Sequence, residues 1–367
     1  MTENDGKSLL PSSRSVVIPL IFIVLVVVLI VLTFLGIAGV NILDWFQDSP
    51  QQITYERLLM DTHVELTFYT DKDEEKSDEI AQKTFAEMQK MEEMFDRGRE
   101  GSEIWNINEN AGQEPVSVAH EVLGLIEDSL YYGEKTKGTF DITIAPVMDL
   151  WGFYGNDPRL PDRGEIEEKL NNVDYRRVEL DNEEGTVFLP REDMALDLGG
   201  IAKGYVVDRG MEVLKEEGIE HAFVNAGGDI RVIGGKPGEG DPPWKIGIPH
   251  PGSEGVRRER LAARVPLHSS AIATSGDYER FFEEEGERYH HILDPATGYP
   301  ADELSGVTII ASEAVEADIL STSIFVMGRQ EGMELVEELE EVEAVLITPD
   351  DEIYYSSGLE DILELSG

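Results

Sequence analysis

Cysteine is absent from the 367 residues and basic residues are scarce: 30 Lys and Arg stand against 75 Asp and Glu, a formal charge of −45. The first absence excludes disulfides, thiolate metal sites, a cysteine nucleophile and a cysteine-linked lipid anchor. Any nucleophile, base or metal ligand must then carry oxygen or nitrogen. The second absence argues against nucleic-acid binding through a basic face, because such binding is largely phosphate neutralisation by Lys and Arg. No repeat of about 20–50 residues is visible, which removes solenoids and propellers. Apolar residues make up 41 % of the chain, enough for a large core, so this is a folded protein rather than an acidic disordered tail. So acidic a surface points to a high-salt setting, where counterions screen the self-repulsion.

The clearest physical signal lies near the N-terminus. From Ser15 to Leu43 no residue is ionisable, and Val16 to Val40 (VVIPLIFIVLVVVLIVLTFLGIAGV) is almost wholly apolar, long enough to span a bilayer as a helix. A cleaved signal peptide is the competing reading; its apolar region usually runs only about 7–15 residues and is followed by a small-residue cleavage site, which is not evident here. The expected division is a flank (1–15), a transmembrane anchor (16–40), a linker (41–52) and one catalytic domain (53–363). Lys7 and Arg14 precede the span whereas Asp44 and Asp48 follow it, so the flank should face the cytoplasm. That predicts a single-pass protein of the cell membrane, with most of the chain extracytoplasmic.

Coarse patterning mixes helix and strand. His63 to Thr70 alternates like a half-buried strand, while Asp78 to Asp96 carries Ile80, Phe85, Met88, Met91 and Phe95 at helical spacing. Further helices are expected over Ala119–Thr136, Ile201–Glu217 and Ala314–Met327, with strands at Met194–Leu198, Ala222–Asn225 and Gly306–Ala311. Strand and helix do not alternate regularly enough for a doubly wound parallel sheet, which makes α+β the expected class.

Three clusters carry chemistry. Asp197-Leu198-Gly199-Gly200-Ile201-Ala202-Lys203 reads as a strand end, a glycine turn and a helix start. There, backbone can approach an anion, and Lys203 lies one turn in. Taken alone, such glycine pairs are more often plain turns. Tyr289 to Pro300 runs a pair of histidines into an Asp-Pro, Thr-Gly turn. In a chain without cysteine, histidine is the natural base, although a lone strand pair more often has one histidine packed and one solvated. Finally, Asp318 and Thr322 stand four residues apart on one helix face, where two oxygen donors suit magnesium; an exposed polar stripe is the commoner meaning of that spacing.

Taken in order, Met60-Asp61-Thr62, Gly138 to Pro146, Leu150 to Phe153, Asp197 to Tyr205, Asn225 to Asp229, Thr274 to Tyr278, His291 to Gly298 and Glu316 to Thr322 resemble the ApbE-type FAD:protein FMN transferases. The resemblance spans residues 53 to 350 and implies an ApbE-like fold of mixed and antiparallel sheets with flanking helices. It implies that FAD is the substrate, that magnesium is the cofactor, and that the FMN half moves to a Thr or Ser hydroxyl of a target flavoprotein with release of AMP. A subunit of a membrane redox complex is the expected target. By the same resemblance Met60, Thr139, Phe140, Asp141, Asp197, Lys203 and Ile292 line the FAD site. The carbonyl of Gly200 and the side chains of Asp318 and Thr322 hold the metal, and His291 is the base. Gly227, Gly228 and Ser275 shape the pocket. The acidic surface would not bar FAD if the site itself stays locally positive. An alternative is a membrane-anchored FAD-binding protein, or one that hydrolyses FAD to FMN and AMP.

The chain also departs from the family pattern. Asp61 stands where many members have glycine, and Ser321 where some have a further aspartate. Met94 to Arg99 lacks the tyrosine that some members present to the flavin, and the apolar N-terminal segment takes the place of a lipidated cysteine.

Overall fold

The computed structural model describes residues 50–155, 158–251 and 260–366. The apolar run at 16–40 lies outside them; among the described residues no helix is long and apolar enough to cross a membrane.

One eight-stranded sheet organises the domain. Its strands are Gln51–Leu59, Thr62–Thr70, Ala222–Ala226, Asp229–Ile233, Ala271–Gly276, Gly306–Ala311, Glu343–Ile347 and Ile353–Tyr355, each pairing antiparallel with the next. Because sheet order follows chain order, the long insertions between strands are free to carry the helices and loops that build a site. The expected linker ends earlier than residue 52, since Gln51 and Gln52 already pair with Thr70 and Tyr69. This edge strand is largely exposed and polar, which discourages further strand addition.

Both faces of the sheet are covered. Gly306–Ala311 is buried at every position, as a strand covered on both faces should be. Val307 and Ile309 join the main core beneath the helices. Ile310 joins a second core with Trp244, Ile246, Val265 and Leu267, from the smaller sheet formed by Trp244–Pro249, Leu261–Leu267 and Glu364–Leu365. Three helices stack on the other face: Glu74–Phe95, Ala202–Glu216 and Ala314–Met327. The first starts on an Asp73 cap whose carboxylate accepts from the Lys76 amide, with Glu74 and Glu75 in its first turn, favourable against the helix dipole.

The α+β expectation and most of its elements match this architecture within a few residues. Met194–Leu198 does not. Met194, Leu196 and Leu198 are buried apolar residues at alternate positions, which imitates a strand, but Asp197 between them is buried as well and the segment pairs with no strand. Instead, the Asn108 side chain takes the place of a neighbouring strand, accepting from the Leu196 amide at 2.7 Å and donating to its carbonyl at 3.0 Å. The backbone groups are satisfied without a sheet, as burial demands.

Candidate functional site

A cavity of about 590 Å³ opens beside the glycine pair. It is lined by all eleven residues implied above for FAD, metal and base: Met60, Thr139, Phe140, Asp141, Asp197, Gly200, Lys203, His291, Ile292, Asp318 and Thr322. They come from segments spread from the first hairpin to the Ala314–Met327 helix, so the fold itself assembles the group.

One wall is helical. Gly204 sits in the first turn of the Ala202–Glu216 helix, and a Cβ there would lie 2.3 Å from the Ala314 carbonyl oxygen. Only glycine permits this approach, which places the Gly204 amide 2.9 Å from Asp318 Oδ2. A helix N-terminus thus holds the carboxylate. The junction is tied a second time by Asp208, which accepts from Arg231 at 2.6 Å and from the amides of Ala314 and Val315 at 2.9 Å. Lys203 pairs with Asp229 and stands 3.8 Å from Asp318 Oδ1. Burial would lower the Lys203 proton affinity, but the Asp229 and Asp318 carboxylates outweigh it and the ammonium stays charged. Burial, and then the neighbouring Asp229, hold the Asp318 carboxyl above the ordinary carboxylate range, so the group gains by taking up a cation.

Thr322 lies one turn further along the same helix, and a Cβ on Gly200 would come within 3.3 Å of its hydroxyl, so the Gly200 backbone and the Thr322 side chain meet. Ser321 bonds back to the Asp318 carbonyl and to Ser275 Oγ, both at 2.8 Å, fastening this helix to the sheet. The donor set of Asp318, Thr322 and the Gly200 carbonyl is hard oxygen throughout. Among the described residues no three His, Cys, Asp or Glu side chains cluster as a complete metal cage. Such a sparse oxygen set fits magnesium, which keeps several waters and completes its shell on substrate phosphates.

The other wall is built from turns. Met60 and Asp61 form the two-residue hairpin at φ of 52° and 55°, left-handed values that glycine or asparagine adopts more comfortably. The Met60 amide is anchored on Glu92 at 2.7 Å. His291 follows the Glu287–His290 strand; its amide donates to the Arg280 carbonyl at 3.0 Å, and its Nδ1 lies 3.3 Å from the same oxygen. Because that oxygen can only accept, Nδ1 carries the proton and Nε2 keeps its lone pair. Burial first, then His290 and Arg280, push the His291 imidazole down to about 3, so the ring is neutral at physiological pH. His290 is buried and bonds to the Ala301 carbonyl at 2.7 Å. The two histidines divide as strand alternation suggests, with the less buried ring facing the cavity rather than open solvent.

Several sequence expectations change. Asp141 lines the cavity and also accepts from the Thr143 amide and hydroxyl and from the Tyr175 amide, at 2.6 to 2.9 Å, so it braces the turn that presents Phe140 as well. Gly227 and Gly228 are not among the lining residues; they make the tight turn between Ala222–Ala226 and Asp229–Ile233, at φ of 64° and 112°. Nor is the cavity locally positive: eight carboxylates (Asp61, Glu92, Asp96, Asp141, Asp149, Asp197, Glu279, Asp318) line it against three cations (Arg97, Lys203, Arg280). Arg97, Tyr154 and Arg280 went unnoticed in the sequence. Arg97 contacts Asp149 at 2.6 Å and Asp197 at 3.0 Å, and both guanidiniums pack on the Tyr154 ring, at 5.2 Å for Arg97 and 5.1 Å for Arg280. Isolated loop residues give no periodic signal. A tyrosine does reach this cavity, from Leu150–Gly155 rather than from Met94–Arg99.

Such a site, with oxygen donors, a lysine and a neutral imidazole converging in an α+β frame, is that of an enzyme with an anionic ligand. The chain belongs to the ApbE family, whose model matches residues 60–346. It is 32 % identical over 307 residues to the FAD:protein FMN transferase of Klebsiella pneumoniae, covering 83 % of this chain and 92 % of that protein. It is 34 % identical over 292 residues to the protein of the same name from Treponema pallidum, covering 76 % and 80 %. Among solved structures, the ApbE protein of Thermotoga maritima superposes with a TM-score of 0.77 at 36 % identity, covering 85 % of this chain and 99 % of that one. The flavin transferase ApbE from Vibrio cholerae gives 0.74 at 26 % identity, with 85 % and 99 % covered.

Proposed function

We propose that this chain is an FAD:protein FMN transferase: it moves the FMN half of FAD onto a Thr or Ser hydroxyl of a target flavoprotein and releases AMP. Membership of a family whose relatives carry that name makes the transferase class the natural reading. The observation that carries the proposal is the convergence of Gly200, Lys203, His291, Asp318 and Thr322 on one cavity. His291 Nε2 takes the proton of the acceptor hydroxyl while Nδ1 stays bonded to the Arg280 carbonyl. The acceptor oxygen bonds to the phosphorus of the FMN half, the bond from that phosphorus to the bridging oxygen breaks, and AMP leaves with the electron pair. General-base help is worth about 10²–10⁴-fold, so positioning and charge neutralisation supply much of the remainder.

Asp318, Thr322 and the Gly200 carbonyl would hold magnesium, which when bound neutralises charge on the diphosphate. Lys203 lies beside them, held in place by Asp229. An N-terminal anchor would put the domain on the extracytoplasmic side of the cell membrane, where a membrane redox-complex subunit is the proposed acceptor. The test is to incubate the full chain with FAD, magnesium and such a subunit, then look for flavin fluorescence on the denatured target. A fluorescent band supports transfer; an unlabelled target with FAD left intact contradicts it.

A further inference from the structure

Of the three cations lining the cavity, two are paired. Lys203 is held by Asp229 and Asp318, and Arg97 by Asp149 and Asp197. Arg280 is different: it is exposed and lines the cavity, and among the described residues its guanidinium is held in no salt bridge, although the neighbouring Glu279 carboxylate attracts it. Its position is nonetheless defined, because the guanidinium packs on the Tyr154 ring and the Arg280 carbonyl accepts from both the amide and the ring of His291. Cation and base therefore ride on one stretch of backbone. With eight carboxylates around the cavity, a doubly anionic diphosphate meets an unfavourable field unless some positive charge is free to turn toward it.

We propose that Arg280 is a catalytic residue that binds the diphosphate of the FAD substrate beside His291, supplying the positive charge that Lys203 and Arg97 have already given to carboxylates. This rests on the transferase reading above and adds to it a phosphate contact. A guanidinium suits the role because its planar fork donates two parallel hydrogen bonds to phosphate oxygens in a fixed geometry, whereas the three donors of an ammonium are not fixed in a plane. Tyr154 is then a positioning residue, keeping the fork at the rim when the cavity is empty.

The experiment compares FAD with riboflavin, which carries the same ring without phosphates, by fluorescence titration of the full chain in the presence of magnesium. R280Q should weaken FAD binding by about 10- to 100-fold, the range of a charge-assisted hydrogen bond or two, and leave riboflavin unchanged. R280K should fall between, and the melting temperatures of both variants should match that of the parent, since the side chain is exposed. If R280Q keeps the parent's preference for FAD, or loses FAD and riboflavin in equal measure, the inference is overturned while the transferase reading stands. If the parent itself does not prefer FAD over riboflavin, both fall together.

Discussion

The cavity has two unlike walls, and the difference between them explains which residues are fixed and which are poised. On the helical wall Gly204, Asp208 and Ser321 lock two helices and a strand together, so Lys203, Asp318 and Thr322 are held by several independent bonds. On the turn-built wall His291 hangs on one carbonyl and Arg280 on one ring. A rigid wall suits the binding of a cation, where geometry must be set in advance. On the proposed reading, the looser wall is the one that would admit a protein acceptor, as loops on a rigid scaffold commonly do.

The largest expected effect isolates chemistry on the turn-built wall. His291→Ala should cut flavin transfer by about 10²–10⁴-fold while FAD affinity, read by fluorescence titration, stays within about twofold; equal loss of both would make His291 a binding residue. Because burial holds its imidazole down to about 3 against an ordinary 6.5, the parent's pH–rate profile should show no acid limb near 6.5. An acid limb there that vanishes in a variant would mean the ring titrates normally.

On the helical wall, Asp318→Ala should raise the magnesium concentration for half-maximal transfer by about 10- to 100-fold or more, and an unchanged metal dependence would remove Asp318 from the site. Gly204→Ala tests the junction itself. Its new Cβ meets backbone at 2.3 Å, so the helices must part. A cost of about 1–3 kcal/mol, visible as a lower melting temperature, should accompany a higher magnesium requirement. A drop in stability with intact metal response would show that the site tolerates the displacement.

The smallest effect concerns the strained hairpin. Asp61→Gly relieves a left-handed φ of 55° and should stabilise by about 0.5–1 kcal/mol, raising the melting temperature slightly. No gain would mean that Asp61 has a compensating contact.

Much of this was legible in the sequence because the relevant signals are local. The Ala314–Met327 helix shows its bounds plainly, and four-residue spacing places Asp318 and Thr322 on one face. The Met194–Leu198 segment misled because alternation reports burial, not the partner, and an asparagine side chain can do a strand's bonding. The bracing role of Asp141 left no local trace, because the Tyr175 amide it accepts from lies 34 residues along the chain. Arg97, Tyr154 and Arg280 were invisible for a related reason: only the folded chain brings two guanidiniums onto one ring.

The destination of the FMN half separates transfer from hydrolysis, and the most direct measurement counts it. With FAD, magnesium and an acceptor subunit, AMP and covalent FMN on a Thr or Ser peptide, quantified together by mass spectrometry, should appear in equal amounts. AMP accompanied by an equal amount of free FMN, with no adduct on the protein, would show that water is the acceptor and would contradict transfer.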